Sequence, residues 1–161
     1  MNWLISKRDP LYDPKSSIGV QQCGIIFWQK TGFLRRCNLN GFTALMSLAA
    51  KNFAPTDVFM QEPQTCYLTF NGCAKNVIFI QLKSDKNGHF YIYGEAHTAY
   101  ANRKFHLFAL DVVEFIARNT GCRFYVDDAT GYIDHRSVAQ LDKYISEYQN
   151  AHAYLIRPTF K

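Results

Sequence analysis

With 161 residues, 48% of them hydrophobic and 16% aromatic, the chain has the size and content of one globular domain. Such a chain buries about 70% of its unfolded surface, so a core without disulfide or metal staples is expected. A net charge of +5, from 18 Lys and Arg against 13 Asp and Glu, favours acidic partners, but Lys7-Arg8, Arg35-Arg36 and Arg103-Lys104 are dispersed pairs with no aromatic RNP block beside them, which argues against nucleic acid.

The five cysteines Cys23, Cys37, Cys66, Cys73 and Cys122 are odd in number and form no CxxC, so buried reduced thiols are expected rather than a disulfide framework or a zinc knuckle. The opening MNWLISKRDP reaches a charged pair after three apolar residues, too few for a signal-peptide core. The richest apolar stretch, Phe105 to Ala117, is broken by His106, Asp111 and Glu114. A cytoplasmic protein with no membrane partner is therefore expected.

In chain order, residues 1–22 are an irregular lead-in, with order expected to begin near Cys23. Gly24 to Trp28 and Phe33 to Cys37 flank a glycine-containing turn and predict a β-hairpin. Phe42, Leu45, Met46, Leu48, Ala49 and Phe53 recur at helical spacing, with Asn40 or Thr43 as cap and Pro55 as terminator. A Pro-bounded loop runs through Glu62-Pro63. Cys66 to Phe70, Asn76 to Leu82 and His89 to Tyr93 then predict an antiparallel meander, its first turn at Asn71-Gly72.

Phe105 to Arg118 is the clearest helix, with Asn102 as cap and Gly121 as stop. Cys122 to Val126 follows as a strand, placing Asp127 and Asp128 just past its end. Ser137 opens a last helix through a Ser-Val-Ala-Gln capping box, and Ala153 to Ile156 is a short final strand. The order implies a single α+β domain, with an antiparallel or mixed sheet, a hairpin plus a meander, packed against about three helices.

No Walker A, GxGxxG, GxSxG or HExxH motif is present, so no cofactor is expected. His89, His97 and His135 lack metal-ligand spacing, so no metal is expected either. Asp134-His135-Arg136 carries the residue types of the kinase loop His-Arg-Asp in a different order, without a glycine-rich loop. The enzymatic alternative is a small cysteine hydrolase: Cys23 as thiolate, His97 as base, Asp127 or Asp128 as its orienting acid, and the preceding glutamines at an oxyanion. The residues after Cys23 read as a strand, however, and so withhold the helix dipole that activates such a thiol.

The segment VDDATGYIDHR, Val126 to Arg136, concentrates three acids, a histidine, an arginine and a tyrosine before the last helix. Asp128-Ala129-Thr130-Gly131 makes a turn in which Gly131 tolerates positive φ, and Tyr132 and Ile133 re-enter the fold. An acidic strand end, Thr-Gly-Tyr, Arg136 and a helix carrying Leu141 together resemble a segment of small cytoplasmic immunity proteins, which neutralise toxins delivered between competing bacteria. The resemblance is confined to the C-terminal segment. It implies a non-enzymatic inhibitor whose partner is a cognate toxin protein, with Asp127, Asp128, Tyr132, Asp134, His135 and Arg136 as contact residues.

The ten tyrosines, thirteen phenylalanines and two tryptophans exceed what packing alone requires, and surface aromatics are common interface anchors; the alternative is that they fill the core. Inhibitors of nucleases tend to be acidic. In this basic chain, either the partner is acidic or neutral, or Asp127, Asp128 and Asp134 form a local acidic patch, which counts for more than net charge within a Debye length of ~8 Å.

Overall fold

The computed structural model describes residues 2–6, 24–30, 38–53, 58–71 and 73–151. The strands are β1 (Leu4–Ser6), β2 (Ile25–Gln29), β3 (Val58–Glu62), β4 (Thr65–Phe70), β5 (Cys73–Ser84), β6 (Phe90–Ala96) and β7 (Phe124–Asp128). The helices are α1 (Leu39–Asn52), α2 (Arg103–Thr120), α3 (Tyr132–His135) and α4 (Val138–Ala151), with a 3-10 turn at Thr98–Tyr100. The strands form one mixed sheet in the order β1-β7-β2-β6-β5-β4-β3. Among the described residues only the β1–β7 pair is parallel, and the fold is α+β.

Strand periodicity sorts the sheet into two faces. Phe124 and Val126 on β7, Ile25 and Phe27 on β2, Ile92 and Ala96 on β6, Ile78, Ile80 and Leu82 on β5, and Cys66 and Leu68 on β4 share one core. Phe42, Leu45, Met46 and Ala49 of α1 and Phe105, Ala109, Val112, Val113 and Ile116 of α2 complete it. Gly94 stands opposite Phe27 in the register, and a Cβ there would run into the Phe27 ring and come within 2.6 Å of the Phe79 carbonyl oxygen. The glycine thus makes room for the ring at the centre of the sheet.

Local signals set the helix ends. Asn102 Oδ1 accepts from the Phe105 N–H at 3.1 Å, and Gly121 stops α2 in the left-handed region at φ 65. Helix α1 begins before the expected Asn40 or Thr43, because Asn38 Oδ1 accepts from Gly41 N at 2.7 Å while the Thr43 hydroxyl donates to the Leu39 carbonyl inside the helix. Ser137 Oγ accepts from Gln140 N at 3.3 Å, as its capping box implies.

Several expectations are corrected. The lead-in is not irregular throughout: Leu4–Ser6 is a strand, anchored by Phe124 N donating to the Trp3 carbonyl at 2.9 Å. The loop before Glu62-Pro63 contains β3, which pairs with β4. The last strand reaches Asp128, so Asp127 and Asp128 end β7 rather than follow it, held opposite Ile26 and Ile25. β2 is paired on both sides, by β6 and β7, and so lies inside the sheet. The expected hairpin arm at 33–37 and the strand at 153–156 lie outside the described residues. Among the described residues, no helix is long and apolar enough to cross a membrane.

Candidate functional site

Asp128 has the parity of Phe124 and Val126, so its carboxylate enters the core side of the sheet, where a charge persists only if its oxygens are matched by donors. All four partners come from elements that converge at this end of β7. Asp128 Oδ1 accepts from Thr130 N at 2.9 Å and from Thr130 Oγ1 at 2.7 Å. Oδ2 accepts from Ile133 N at 3.0 Å and pairs with His106 Nε2 at 3.3 Å. The side chains of Asp128 and His106 are both 0% exposed.

His106 sits on the buried stripe of α2 with Ala109, Leu110, Val113 and Ala117. Its other ring nitrogen, Nδ1, lies 2.7 Å from Thr98 Oγ1, also fully buried. A carboxylate only accepts, so Nε2 carries the proton, and in the neutral ring Nδ1 accepts from the Thr98 hydroxyl. Gly24 brings these strands together: its carbonyl accepts from Ala129 N at 2.9 Å, and Thr98 N passes 2.8 Å from the place a Cβ would occupy. Burial by itself raises the Asp128 carboxyl. The His106 hydrogen bond and charge, Thr130 and the Ile133 N–H outweigh it and hold the group below the ordinary carboxylate range.

Above this network sits an exposed corner. Gly131 takes φ 70, α3 makes a single turn, and Arg136 takes φ 55, its N–H donating to the Tyr132 carbonyl at 2.8 Å. Tyr132 stands edge-on between the two histidines, 6.0 Å from the His106 ring and 6.0 Å from the His135 ring. The Arg136 guanidinium lies 5.8 Å from the Tyr132 ring centroid. His135 Nε2 is 3.2 Å from the Thr130 carbonyl oxygen, and His135 Nδ1 accepts from Ser137 N at 2.9 Å. Asp134 Oδ2 accepts from the Ser6 hydroxyl of β1 at 2.9 Å.

Of the six residues read as contacts, Asp134, His135 and Arg136 are exposed, Tyr132 and Asp127 are half-buried, and the Asp128 side chain is buried beneath the turn. Asp128 therefore holds the corner from below and is not itself a contact. For the hydrolase alternative, Cys23 lies outside the described residues. His97 is exposed, and its Nε2 lies 3.6 Å from Glu95 Oε1. The histidine that meets an aspartate in the interior is His106, and the aspartate is Asp128.

Thr98, His106 and Asp128 have the hydroxyl–imidazole–carboxylate order of a hydrolytic relay, yet all three side chains are inaccessible, and a reacting atom must meet its substrate. Cys66 is no better placed, because burial pushes its thiol up to about 12. Among the described residues, no three His, Cys, Asp or Glu side chains are grouped to hold a metal. A cavity of about 390 Å³ opens between the start of α2 and α4. Three of its polar side chains are paired: Arg103 with Asp142 at 2.9 Å, and Gln149 with the Ala99 and Ala101 carbonyls.

His106, Thr98 and Thr130 were not legible as a site from motifs, but two signals point to them. His106 falls in phase with the apolar positions of its helix, and Asp128 shares the parity of two inward strand residues. A histidine and an acid that both face inward call for each other. Comparison with protein-family models, curated proteins and solved structures finds no match to this chain.

Proposed function

We propose that the chain is a non-enzymatic protein-binding module that neutralises a cognate toxin, with the corner from Gly131 to Ser137 as its contact surface. The observation that carries this reading is Arg136: an exposed, non-glycine residue held at φ 55, flanked by exposed Asp134 and His135 and fastened from below by a buried network. A left-handed arginine costs on the order of 1–2 kcal/mol, and such strain persists where the surroundings over-determine it. A corner ordered before it meets its partner loses little entropy on binding.

The exposed side chains of Asp134 and Arg136 offer an acid and a guanidinium on either side of the exposed His135 ring, a pair suited to recognition of another protein's polar surface. The partner is a protein toxin, and the expected effect of binding is inhibition.

Co-expression tests this. The wild-type chain should restore growth to cells making its proposed partner, a toxin to be sought among the neighbouring genes. A corner variant, Asp134→Lys with Arg136→Gly, should fold and fail to protect. Equal protection by that variant, or absence of any bound protein together with thiol labelling concentrated at Cys23, would overturn the proposal and favour the hydrolase.

A further inference from the structure

His135 is held at both ring nitrogens by backbone groups of opposite polarity. The Thr130 carbonyl can only accept, so Nε2 carries a proton. The Ser137 N–H can only donate, so Nδ1 must present a lone pair. The ring therefore completes this corner only as the neutral Nε2–H tautomer. A second proton has one place to go, Nδ1, where it would face the Ser137 N–H donor-to-donor.

The surroundings of the ring sharpen the effect. Ser137 immediately precedes α4, a helix of 14 residues whose first turn has no acidic residue, so an imidazolium here would sit against the positive end of the helix. Arg136 is the next residue in the chain and adds a like charge. Asp134 is the one neighbouring carboxylate on α3, and it is engaged by Ser6 of β1. Behind Tyr132 stand His106 of α2 and Asp128 of β7, bonded to each other. The ring also packs over Gly131, where a Cβ would lie 3.5 Å from His135 Cδ2.

We propose that His135 is a proton-operated latch on the corner: neutral, it fastens the turn to the start of α4; protonated, it releases Ser137 and the corner loses its fixed shape. This rests on the corner being the contact surface and adds its regulation, so that the bound partner is released in mildly acidic surroundings. Imidazole is the side chain whose charge ordinarily changes between pH 5 and 8.

The latch can be read in the free, full chain by amide hydrogen exchange, followed by NMR at pH 7.5 and 5.5 and expressed as protection factors. Ser137 N and Leu141 N, which bonds to the Ser137 carbonyl at 3.0 Å, should lose about tenfold in protection at the lower pH, the loss expected from one hydrogen bond and an adverse charge. Val113 and Ile116 of α2 should not change. His135→Asn keeps an acceptor two residues before the Ser137 N–H, as in an Asx-turn, but cannot take a proton; its protection should hold at both pH values.

His135→Ala should show low protection at both. Unchanged wild-type protection, or a fall in His135→Asn that matches wild type, would overturn the latch. Should His135→Asn not fold, the wild-type comparison alone decides. None of these readings involves the partner, so failure of the latch leaves the contact reading standing, whereas loss of the contact reading appears at pH 7.5, where the latch is closed.

Discussion

Two oxygens of Asp128 serve four donors, and the consequences of removing them follow from burial. Asp128→Ala would strand Thr130 N, Thr130 Oγ1, Ile133 N and His106 Nε2 in the interior. The expected loss is about 3–5 kcal/mol in urea unfolding, the range for breaking a buried pair by deleting one partner. Asp128→Asn keeps one acceptor oxygen and should lose less. Because the folded carboxyl is held below its ordinary range, its stabilisation is complete above about pH 4 and drains away as pH falls through the lowered folded value. Wild type should thus lose more stability between pH 4 and 2 than Asp128→Asn, and equal losses would contradict the assignment. Arg136→Gly is expected to do the opposite at neutral pH, raising stability of the free chain by about 0.5–1 kcal/mol as the left-handed strain is relieved. At this scale the sequence showed that the acids and Arg136 gather before a helix, but not that Asp128 turns inward, since that depends on the strand extending two residues further through its pairing with β2.

Elements with their own punctuation were the readable ones. Helix α2 is bounded by Asn102 and Gly121, and the β4–β5–β6 meander by Asn71 and the Asp85 to Gly88 turn, because caps and turns act over a few residues. β1 was not readable: three residues form a strand only because β7, some 120 positions away, offers an unpaired edge. β3 was hidden for the same reason, being defined by β4 rather than by its own pattern. Within the central strands the sensitive point is Gly94. A Gly94→Ala change pushes a methyl into the Phe27 ring and the Phe79 carbonyl, and overpacking of this kind should cost about 1–3 kcal/mol by thermal or urea unfolding. A thiol reagent makes a second check on the sheet: Cys66 on β4 should stay unlabelled at pH 8 until the protein unfolds.

Across the molecule, the buried network joins pieces that the chain supplies far apart. Thr98 follows β6, His106 belongs to α2, Asp128 ends β7, and Asp134 on α3 reaches back to Ser6 on β1. The α+β class was legible because it needs only the types and order of elements, whereas this convergence is set by the sheet order and by no local pattern. A network buried beneath an exposed, left-handed corner is an expensive way to hold a surface still, and it is the basis for reading that surface as a contact. The most direct measurement is the affinity of the purified chain for the toxin proposed as its partner, at pH 7.5, for wild type and for Asp134→Lys with Arg136→Gly. A loss of about thirtyfold or more in the variant, the effect of removing a binding hot spot worth about 2 kcal/mol, is the expected result. Equal affinities in a variant that unfolds as cooperatively as wild type would contradict the account.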